Sequence, residues 1–399
     1  MRRAIALCGG GTKGAYELGV WQALRELDID YQIVTGTSIG SIVGALMVTR
    51  DFEMASELWG NIRMEDVMKD GMNLTTTIEG MYNQRELIRP FLKKYVKNKG
   101  ADISPFIEFI DKMIDEEKVR KSDIGFGLVT VQVSSLTPME LTKEEIPHGK
   151  LKDFIMASSS IFPVFPMQKI DGETYLDGCY YDNLPIDLAL KMGADEVIAI
   201  DLHTSPSHPD YVNKPYVVYI KPSRSLGTML NFERQIIDDN IRLGYYDTMK
   251  MFGRMRGDKY QFYSEDYAEY EQVIQKFVSS VARVEAYQTE RIFGRLVRTG
   301  DSKRISGNIE EHIRKTEHSY TREDYFTGAA EICGEMFGIS SDKIWHLKEF
   351  IQEVLGKMEE KEKYPDINMF DRKKGPLGNL NFLPCEVVVA LFLLAVDER

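Results

Sequence analysis

Ser38 is the residue of this 399-residue chain whose surroundings most directly suggest chemistry. It is the centre of the sequence GTSIG, which Gly36 opens and Gly40 closes, between an apolar run at residues 32–35 and a second one at 41–48. This context predicts a nucleophile elbow, a sharp turn from strand to helix that exposes the serine hydroxyl. The positive end of the helix dipole would then favour a developing oxyanion. In the simpler alternative, Ser38 only caps the helix N-terminus.

A glycine loop, GGGTKG, lies between a predicted strand at residues 4–8 and a predicted helix at 15–27. Backbone amides in such a loop can converge on an anion, and the following helix adds partial positive charge. The anion could be an oxyanion or a dinucleotide phosphate, because three of the glycines also fit GxGxxG. A dinucleotide site needs an acidic residue at the end of the second strand, whereas Asp28 and Asp30 precede it. The elbow therefore favours the oxyanion over the dinucleotide and over a plain turn. The loop residues are Gly9, Gly10, Gly11, Thr12, Lys13 and Gly14.

Asp177 and Gly178 form the third motif, within YLDGCYYDNLP at residues 175–185. Asp-Gly between short apolar runs is the usual signal of a hairpin turn, and the spacing alone favours that interpretation.

Taken together, the three motifs resemble those of the patatin-like phospholipase family. The block of small residues and prolines at residues 157–166, and Asn183 and Pro185 after the Asp-Gly pair, also match that family's pattern. The resemblance covers residues 4–201, with Cys179 standing where the family usually has a smaller residue. It implies hydrolysis of lipid acyl esters by a serine-aspartate dyad, without a cofactor.

By this resemblance, Ser38 is the nucleophile, Asp177 is the general base, and the glycine loop provides the oxyanion hole. A carboxylate can serve as the base if it is positioned and partly desolvated. No histidine lies in the three motifs, although His203, beyond a predicted strand at 196–201, is expected nearest the site. The serines at 158–160 are interpreted as scaffold.

The elements alternate between strand and helix over about the first 220 residues, which predicts an α/β fold with a mostly parallel sheet flanked by helices. Further strands are predicted at residues 127–133 and 216–221. We expect an α/β hydrolase domain over residues 1–225, with a helical insertion at about 50–120. A helical C-terminal region should follow over residues 226–399, with helices at 229–255, 266–296 and 342–361 and a polar connector at 301–317.

The net charge of −12 argues against nucleic acid as a partner. The lysines at positions 93, 94, 97 and 99 are interpreted as a solvated helix face, with peripheral contact to a membrane as the alternative. Four scattered cysteines suggest reduced thiols and no metal site. The apolar run at 4–8 is too short for a secretion signal, and the run at 387–396 too short for a membrane span.

A cytoplasmic enzyme that acts on a lipid acyl ester is therefore predicted. Its rivals are a catalytically silent lipid-binding or scaffolding protein and, further behind, a dinucleotide-binding oxidoreductase. The substrate lipid, the ester position and the oligomeric state do not follow from the sequence.

Overall fold

The computed structural model describes residues 1–69, 101–293, 305–313, 320–359 and 384–397. The chain divides into two compact units, Met1–Thr248 and Met249–Arg399.

The first unit alternates strands and helices, as predicted. Its strands are β1 (Arg3–Leu7), β2 (Ile33–Thr37), β3 (Gly125–Gln132), β4 (Thr137–Thr142), β5 (Gln168–Ile170), β6 (Glu173–Asp177), β7 (Glu196–Ile200) and β8 (Val217–Ile220). Its helices are α1 (Ala15–Glu26), α2 (Ile39–Val48), α3 (Phe52–Asn61), α4 (Met64–Val67), α5 (Ser104–Met113), α6 (Glu116–Lys121), α7 (Leu151–Ser158), α8 (Ile186–Lys191) and α9 (Arg234–Met251), the last of which runs past the end of the unit.

These eight strands form one sheet in the order β5-β6-β3-β2-β1-β7-β8, with β4 paired to β3. Five adjacent strands of this order, β3, β2, β1, β7 and β8, are parallel. The strands β4, β5 and β6 add antiparallel pairs. The predicted fold class, a mostly parallel sheet flanked by helices, is confirmed. Because parallel strands are covered on both faces, β1 and β2 read as almost continuous buried runs.

The carboxyl ends of the parallel strands carry two of the three motifs and the segment that holds His203. The glycine loop follows β1, Ser38 follows β2, and the Asp201–His203 segment follows β7. Between β1 and β7 the strand order changes direction, and this is where ligands bind in open parallel sheets.

The described parts of the insertion predicted at about residues 50–120 are mainly helical, and they contain α3 to α6 joined by short loops. The lysines at 93–99 lie outside the described residues. Across the described ranges, no helix is both long enough and apolar enough to span a membrane.

Helix α9 belongs to the first unit up to Thr248, whereas the sequence suggested a division near residue 225. It packs closely on α1 through glycines. A Cβ on Gly19 would lie 1.8 Å from the carbonyl oxygen of Ile241, and a Cβ on Gly244 would lie 2.1 Å from that of Tyr16. Any side chain at these two positions would push the helices apart.

The second unit is mainly helical. Its helices are α10 (Glu271–Phe293), α11 (Ile305–Ile313), α12 (Arg322–Met336), α13 (Leu347–Glu359) and α14 (Pro384–Val396). The apolar run near the C-terminus forms α14 and contributes Val388, Leu391 and Phe392 to the core of this unit.

Two features of the second unit differ from the expectation. Three short strands, β9 (Met255–Arg256), β10 (Gln261–Tyr263) and β11 (Ile344–Trp345), form a small sheet. The polar connector predicted at 301–317 is wrong over its described part, which is helix α11. Ile305 and Ile309, one turn apart, bury their side chains in the core and outweigh the polar composition of the segment.

Candidate active site

Ser38 occupies a strained turn between β2 and α2. Its φ of 56° and ψ of −127° lie outside the regions that L-residues favour. The flanking glycines allow this turn because a Cβ on Gly36 would lie 2.2 Å from the carbonyl oxygen of Gly40. A Cβ on Gly40 would lie 2.6 Å from that of Leu7. The predicted sequence of strand, turn and helix is therefore present around Ser38.

Hydrogen bonds to the backbone of Ser38 hold the turn. Its amide donates to the hydroxyl oxygen of Ser158 at 3.0 Å, and the hydroxyl of Ser41 donates to its carbonyl oxygen at 2.7 Å. The Ser38 side chain forms no capping hydrogen bond to the first amides of α2. The Ser38 hydroxyl therefore does not cap the helix, and it is available for chemistry.

Strand register brings Asp177 next to Ser38. On β3, Val129 is the partner of Thr37, the last residue of β2, and the adjacent Thr130 is the partner of Asp177. Since β4 pairs along the other edge of β3, β6 takes up the edge where β2 ends. The residue after Thr37, Ser38, thereby meets the last residue of β6.

The spacing alone had suggested that the Asp-Gly pair at 177–178 forms a hairpin turn, and the structure shows that it does not. The hairpin between β5 and β6 instead turns at Asp171 and Gly172, both with positive φ. Gly178 permits the close approach to β3, because a Cβ there would lie 2.2 Å from the carbonyl oxygen of Val129.

The Asp177 carboxyl group is only 1% exposed. Burial raises its pKa to about 6, although hydrogen bonding from the Cys179 amide and the nearby Ser38 side chain opposes the rise. Oδ1 accepts the Cys179 amide at 2.8 Å. Oδ2 is buried and has no close hydrogen-bond partner among the described residues. One oxygen is thus fixed, and the other is free to receive a proton.

Several amides of the glycine loop are already occupied. The Gly9 amide donates to the Asn183 carbonyl oxygen at 2.9 Å, and the Thr12 amide donates to the Met229 carbonyl oxygen at 2.9 Å. The Lys13 amide donates back to the Gly10 carbonyl oxygen at 3.3 Å. In the described part of the chain, the amides of Gly10 and Gly11 form no hydrogen bond, and they remain available for an anion.

Asn183 and its neighbour link the Asp-Gly motif to the other two motifs. The Asn183 side chain donates to the Gly9 carbonyl oxygen at 3.0 Å. The hydroxyl of Thr37 donates to the carbonyl oxygen of Asp182 at 2.8 Å. Asp182 is held in turn by His208, 2.8 Å away, and this carboxylate raises the pKa of His208. The three motifs form one hydrogen-bonded assembly.

An apolar cavity of about 150 Å³ opens beside these groups. Ser38 and Asp177 line it together with the glycine loop from Gly9 to Lys13. The remaining wall is largely hydrophobic and includes Ile39, Ile42, Trp59, Ile62, Val67, Phe106, Ile161, Phe165, Met229, Leu230 and Phe232. The cavity suits an alkyl chain whose polar end lies at Ser38.

His203 also lines this cavity, as expected for the histidine nearest the site. Its Nδ1 lies 2.9 Å from Oδ1 of Asp201. Burial would raise the pKa of Asp201, but hydrogen bonds from His203, Tyr219 and Ser207 outweigh it and hold the pKa at about 2. The ionised Asp201 carboxylate therefore fixes the orientation of the imidazole ring.

Cys8 joins His203 and Asp201 in the one group of potential metal ligands found among the described residues. The three ligand atoms lie within 4.8 Å of one another. Both oxygens of Asp201 already accept hydrogen bonds, Oδ1 from the His203 amide and Oδ2 from the Ser207 amide and the Tyr219 hydroxyl, so the group is satisfied as a protein network. Burial raises the pKa of the Cys8 thiol, which opposes formation of the thiolate that a metal would need.

Sequence reasoning placed Ser158 in the scaffold without assigning it a contact. The structure makes its hydroxyl the acceptor for the Ser38 amide. The hydroxyls of Ser159 and Ser160, just after α7, donate instead to carbonyl oxygens four residues earlier, within that helix. The only sequence signal for this role was the position of Ser158 in the block of small residues.

Comparison with known proteins places the site in a family context. Residues 5–190 match the sequence profile described as patatin-like phospholipase. The patatin-like phospholipase domain-containing protein 6 of Mus musculus is 29% identical over 206 residues, which are 50% of this chain and 13% of that protein. Lysophospholipase NTE1 of Mycosarcoma maydis is 30% identical over 207 residues, 51% of this chain and 10% of that protein.

The chain thus spans a small part of the length of these relatives. Among solved structures, that of VipD from Legionella pneumophila matches 99% of this chain and 91% of its own, with 12% identity and a TM-score of 0.41. The matched segment, residues 5–190, contains the glycine loop, the elbow and the Asp-Gly motif. Over residues 5–190, just under half of its length, this chain is similar to the patatin-like phospholipase family.

Proposed function

We propose that the first unit hydrolyses acyl esters of lipids, with Ser38 as the nucleophile and Asp177 as the general base. The observation that carries this proposal is the placement of a serine hydroxyl that caps no helix amide, on a strained turn, beside a buried carboxylate at the wall of an apolar cavity. Strained backbone of this kind persists where the surrounding fold enforces it, and it concentrates at active sites.

In the first step, the Ser38 oxygen attacks the ester carbonyl carbon while its proton passes to Asp177. The pKa of about 6 leaves Asp177 mostly ionised near neutral pH, and more basic than an exposed aspartate. Oδ2 is the oxygen for this proton, because Oδ1 is occupied by the Cys179 amide. Asp177 then gives the proton to the oxygen of the departing alcohol, and an acyl-enzyme remains.

The negative charge that develops on the carbonyl oxygen needs hydrogen-bond donors. We assign this role to the amides of Gly10 and Gly11, since the amides of Gly9, Thr12 and Lys13 already have acceptors. Preorganised donors stabilise the transition state more than the bound ester, so they raise turnover more than they improve substrate binding.

Water completes the cycle. Asp177 takes a proton from a water molecule that attacks the acyl-enzyme, and the proton returns to the Ser38 oxygen as the fatty acid leaves. The residues of the site account for each proton transfer, and the proposed reaction therefore uses no cofactor.

The acyl chain belongs in the apolar cavity, whose hydrophobic lining would replace water around it. One relative is named as a lysophospholipase, in keeping with a lipid ester as substrate. The cytoplasmic location and peripheral contact with a membrane remain predictions.

Labelling with an alkyl fluorophosphonate tests the proposal. The reagent should form an adduct at Ser38, to be located by peptide mapping, and Ser38→Ala should abolish both the adduct and turnover of a p-nitrophenyl acyl ester. Labelling at Ser158, Ser159 or Ser160 instead would overturn the choice of nucleophile. A folded protein that is neither labelled nor active would favour the silent lipid-binding alternative.

A further inference from the structure

Three consecutive serines at the end of α7, residues 158–160, contact the backbone of both groups in the proposed dyad. The hydroxyl oxygen of Ser158, the last residue of α7, accepts the amide of Ser38 at 3.0 Å, across 120 residues of sequence. The carbonyl oxygen of Ser160 accepts the amide of Asp177 at 3.1 Å. We call residues 158–160 the serine segment. Neither contact uses a group that reacts in the proposed mechanism.

The Ser158 hydroxyl is used differently from those of its two neighbours. A serine near the end of a helix commonly donates to a carbonyl oxygen one turn earlier. Ser159 does so to Ile155 at 3.1 Å, and Ser160 does so to Met156 at 2.8 Å. In the described part of the chain, the Ser158 hydroxyl forms no such bond, and its oxygen accepts the Ser38 amide instead. Of the three side chains, that of Ser158 is the one that holds the nucleophile.

The amide of Ser38 depends on this acceptor. Ser38 precedes Ile39, the first residue of α2, so no carbonyl oxygen of that helix can accept its amide. The Ser158 side chain is fully buried, and bulk water cannot replace its hydroxyl. On the other side of the turn, the Ser41 hydroxyl holds the Ser38 carbonyl oxygen. A φ of 56° persists at a residue other than glycine only where such contacts enforce it.

The two contacts tie both members of the dyad to one short segment. A proton passes between Ser38 and Asp177 only when their side chains come within hydrogen-bond reach. Because both backbones are bonded to the serine segment, their movement relative to each other is restricted. Ser158 is not among the residues that line the apolar cavity. Loss of its contact should therefore affect the chemical step and not the binding of the acyl chain.

We propose that Ser158 is a positioning residue of the hydrolase, whose hydroxyl holds the strained turn so that the Ser38 oxygen stays within proton-transfer reach of Asp177. This inference rests on the proposed function, because it requires Ser38 to be the nucleophile. Ser158 acts through the backbone of Ser38 and takes no part in making or breaking bonds. Its loss should therefore slow the reaction of a protein that is still folded.

Two substitutions test the contact, Ser158→Ala and Ser158→Cys. Alanine removes the acceptor, whereas cysteine retains the bulk of the side chain with a sulfur that is only a weak acceptor. Both variants should lower kcat for a p-nitrophenyl ester about tenfold or more with little change in KM, as expected when a reacting group is slightly misplaced. Native kcat in Ser158→Cys, together with a loss in Ser158→Ala, would attribute the effect to packing and overturn the inference.

The time course of labelling with an alkyl fluorophosphonate separates the position of Ser38 from folding. In both variants the rate constant for labelling should fall about tenfold or more, while the final extent should match that of the native protein. A slow but complete reaction would show that every molecule keeps the site with a poorly placed nucleophile. A reduced final extent with an unchanged rate constant would instead indicate partial unfolding and a merely structural Ser158, contrary to the inference.

Ser122→Ala is the matched control. The Ser122 hydroxyl oxygen also accepts a backbone amide, that of Ile124 at 3.2 Å, and Ser122 does not line the apolar cavity. This variant should keep the native kcat and the native labelling rate. Native values in Ser158→Ala as well would overturn the inference and leave the hydrolase function intact. A native protein that is neither labelled nor active would refute the hydrolase function itself, and the role of Ser158 would fall with it.

Discussion

Asp177→Asn should make the protein more stable near neutral pH while it abolishes hydrolysis. The buried carboxyl group has a pKa of about 6, compared with 3.8 for an ordinary aspartate. Keeping it ionised in the folded protein therefore costs free energy. At 1.36 kcal/mol for each pKa unit, this difference is about 3 kcal/mol well above pH 6.

The direction of the pH dependence follows from proton binding. The folded protein holds the Asp177 proton more tightly than the unfolded chain does, so the free energy of unfolding falls as pH rises through the window from 3.8 to about 6. Above that window the loss is constant. Asparagine carries no such proton, and the advantage of the variant should grow from about 1 kcal/mol near pH 4.5 to about 3 kcal/mol near pH 8.

The substitution keeps the local structure. The asparagine oxygen can still accept the Cys179 amide, and its amino group takes the place of Oδ2, which has no close partner among the described residues. An amide cannot accept the Ser38 proton, so turnover of a p-nitrophenyl ester should fall nearly to the level of Ser38→Ala.

Urea unfolding followed by tryptophan fluorescence provides the measurement. Trp21 and Trp59 lie in the first unit, and a Trp345→Phe background removes the signal of the second unit. Asp210→Asn, at an exposed position, is the control and should not alter the free energy of unfolding. The reasoning is refuted if Asp177→Asn is no more stable than its parent near pH 8, or if its advantage does not change with pH.

Three further predictions concern activity. First, kcat/KM for an uncharged ester should rise with pH through about 6, because Asp177 must be ionised to accept a proton; a flat profile from about pH 5 to 8 would contradict its role as base. Second, Gly11→Ala should lower kcat about tenfold or more with little change in KM, since Gly11 has a φ of 58° and its Cβ would lie 2.2 Å from the Met229 carbonyl oxygen, which would shift the loop; full turnover would remove Gly11 from the oxyanion hole. Third, His203→Ala should cost far less activity than Ser38→Ala, and equal losses, with normal circular dichroism, would indicate a triad in place of the dyad.

The sequence by itself determined the elements that carry the site. Helix α2 spans residues 39 to 48, directly after Ser38, because it is an uninterrupted apolar segment that begins at the glycine-flanked turn. The buried strands β1 and β2 follow from their apolar runs. These are local patterns, and they predict a helix or strand correctly where the intrinsic secondary-structure propensity of the segment agrees with its burial.

Only the tertiary structure decided which groups meet. Asp177 lies beside Ser38 because β6 pairs with β3 where β2 ends, and such a register depends on long-range strand pairing that spacing along the chain does not reveal. The same dependence on long-range contacts explains why the carbonyl oxygen of Met229, far along the chain, accepts the Thr12 amide, while the amides of Gly10 and Gly11 stay available for an anion. It also explains helix α11, whose two buried isoleucines pack into a core that could not be predicted from the polar sequence of the segment.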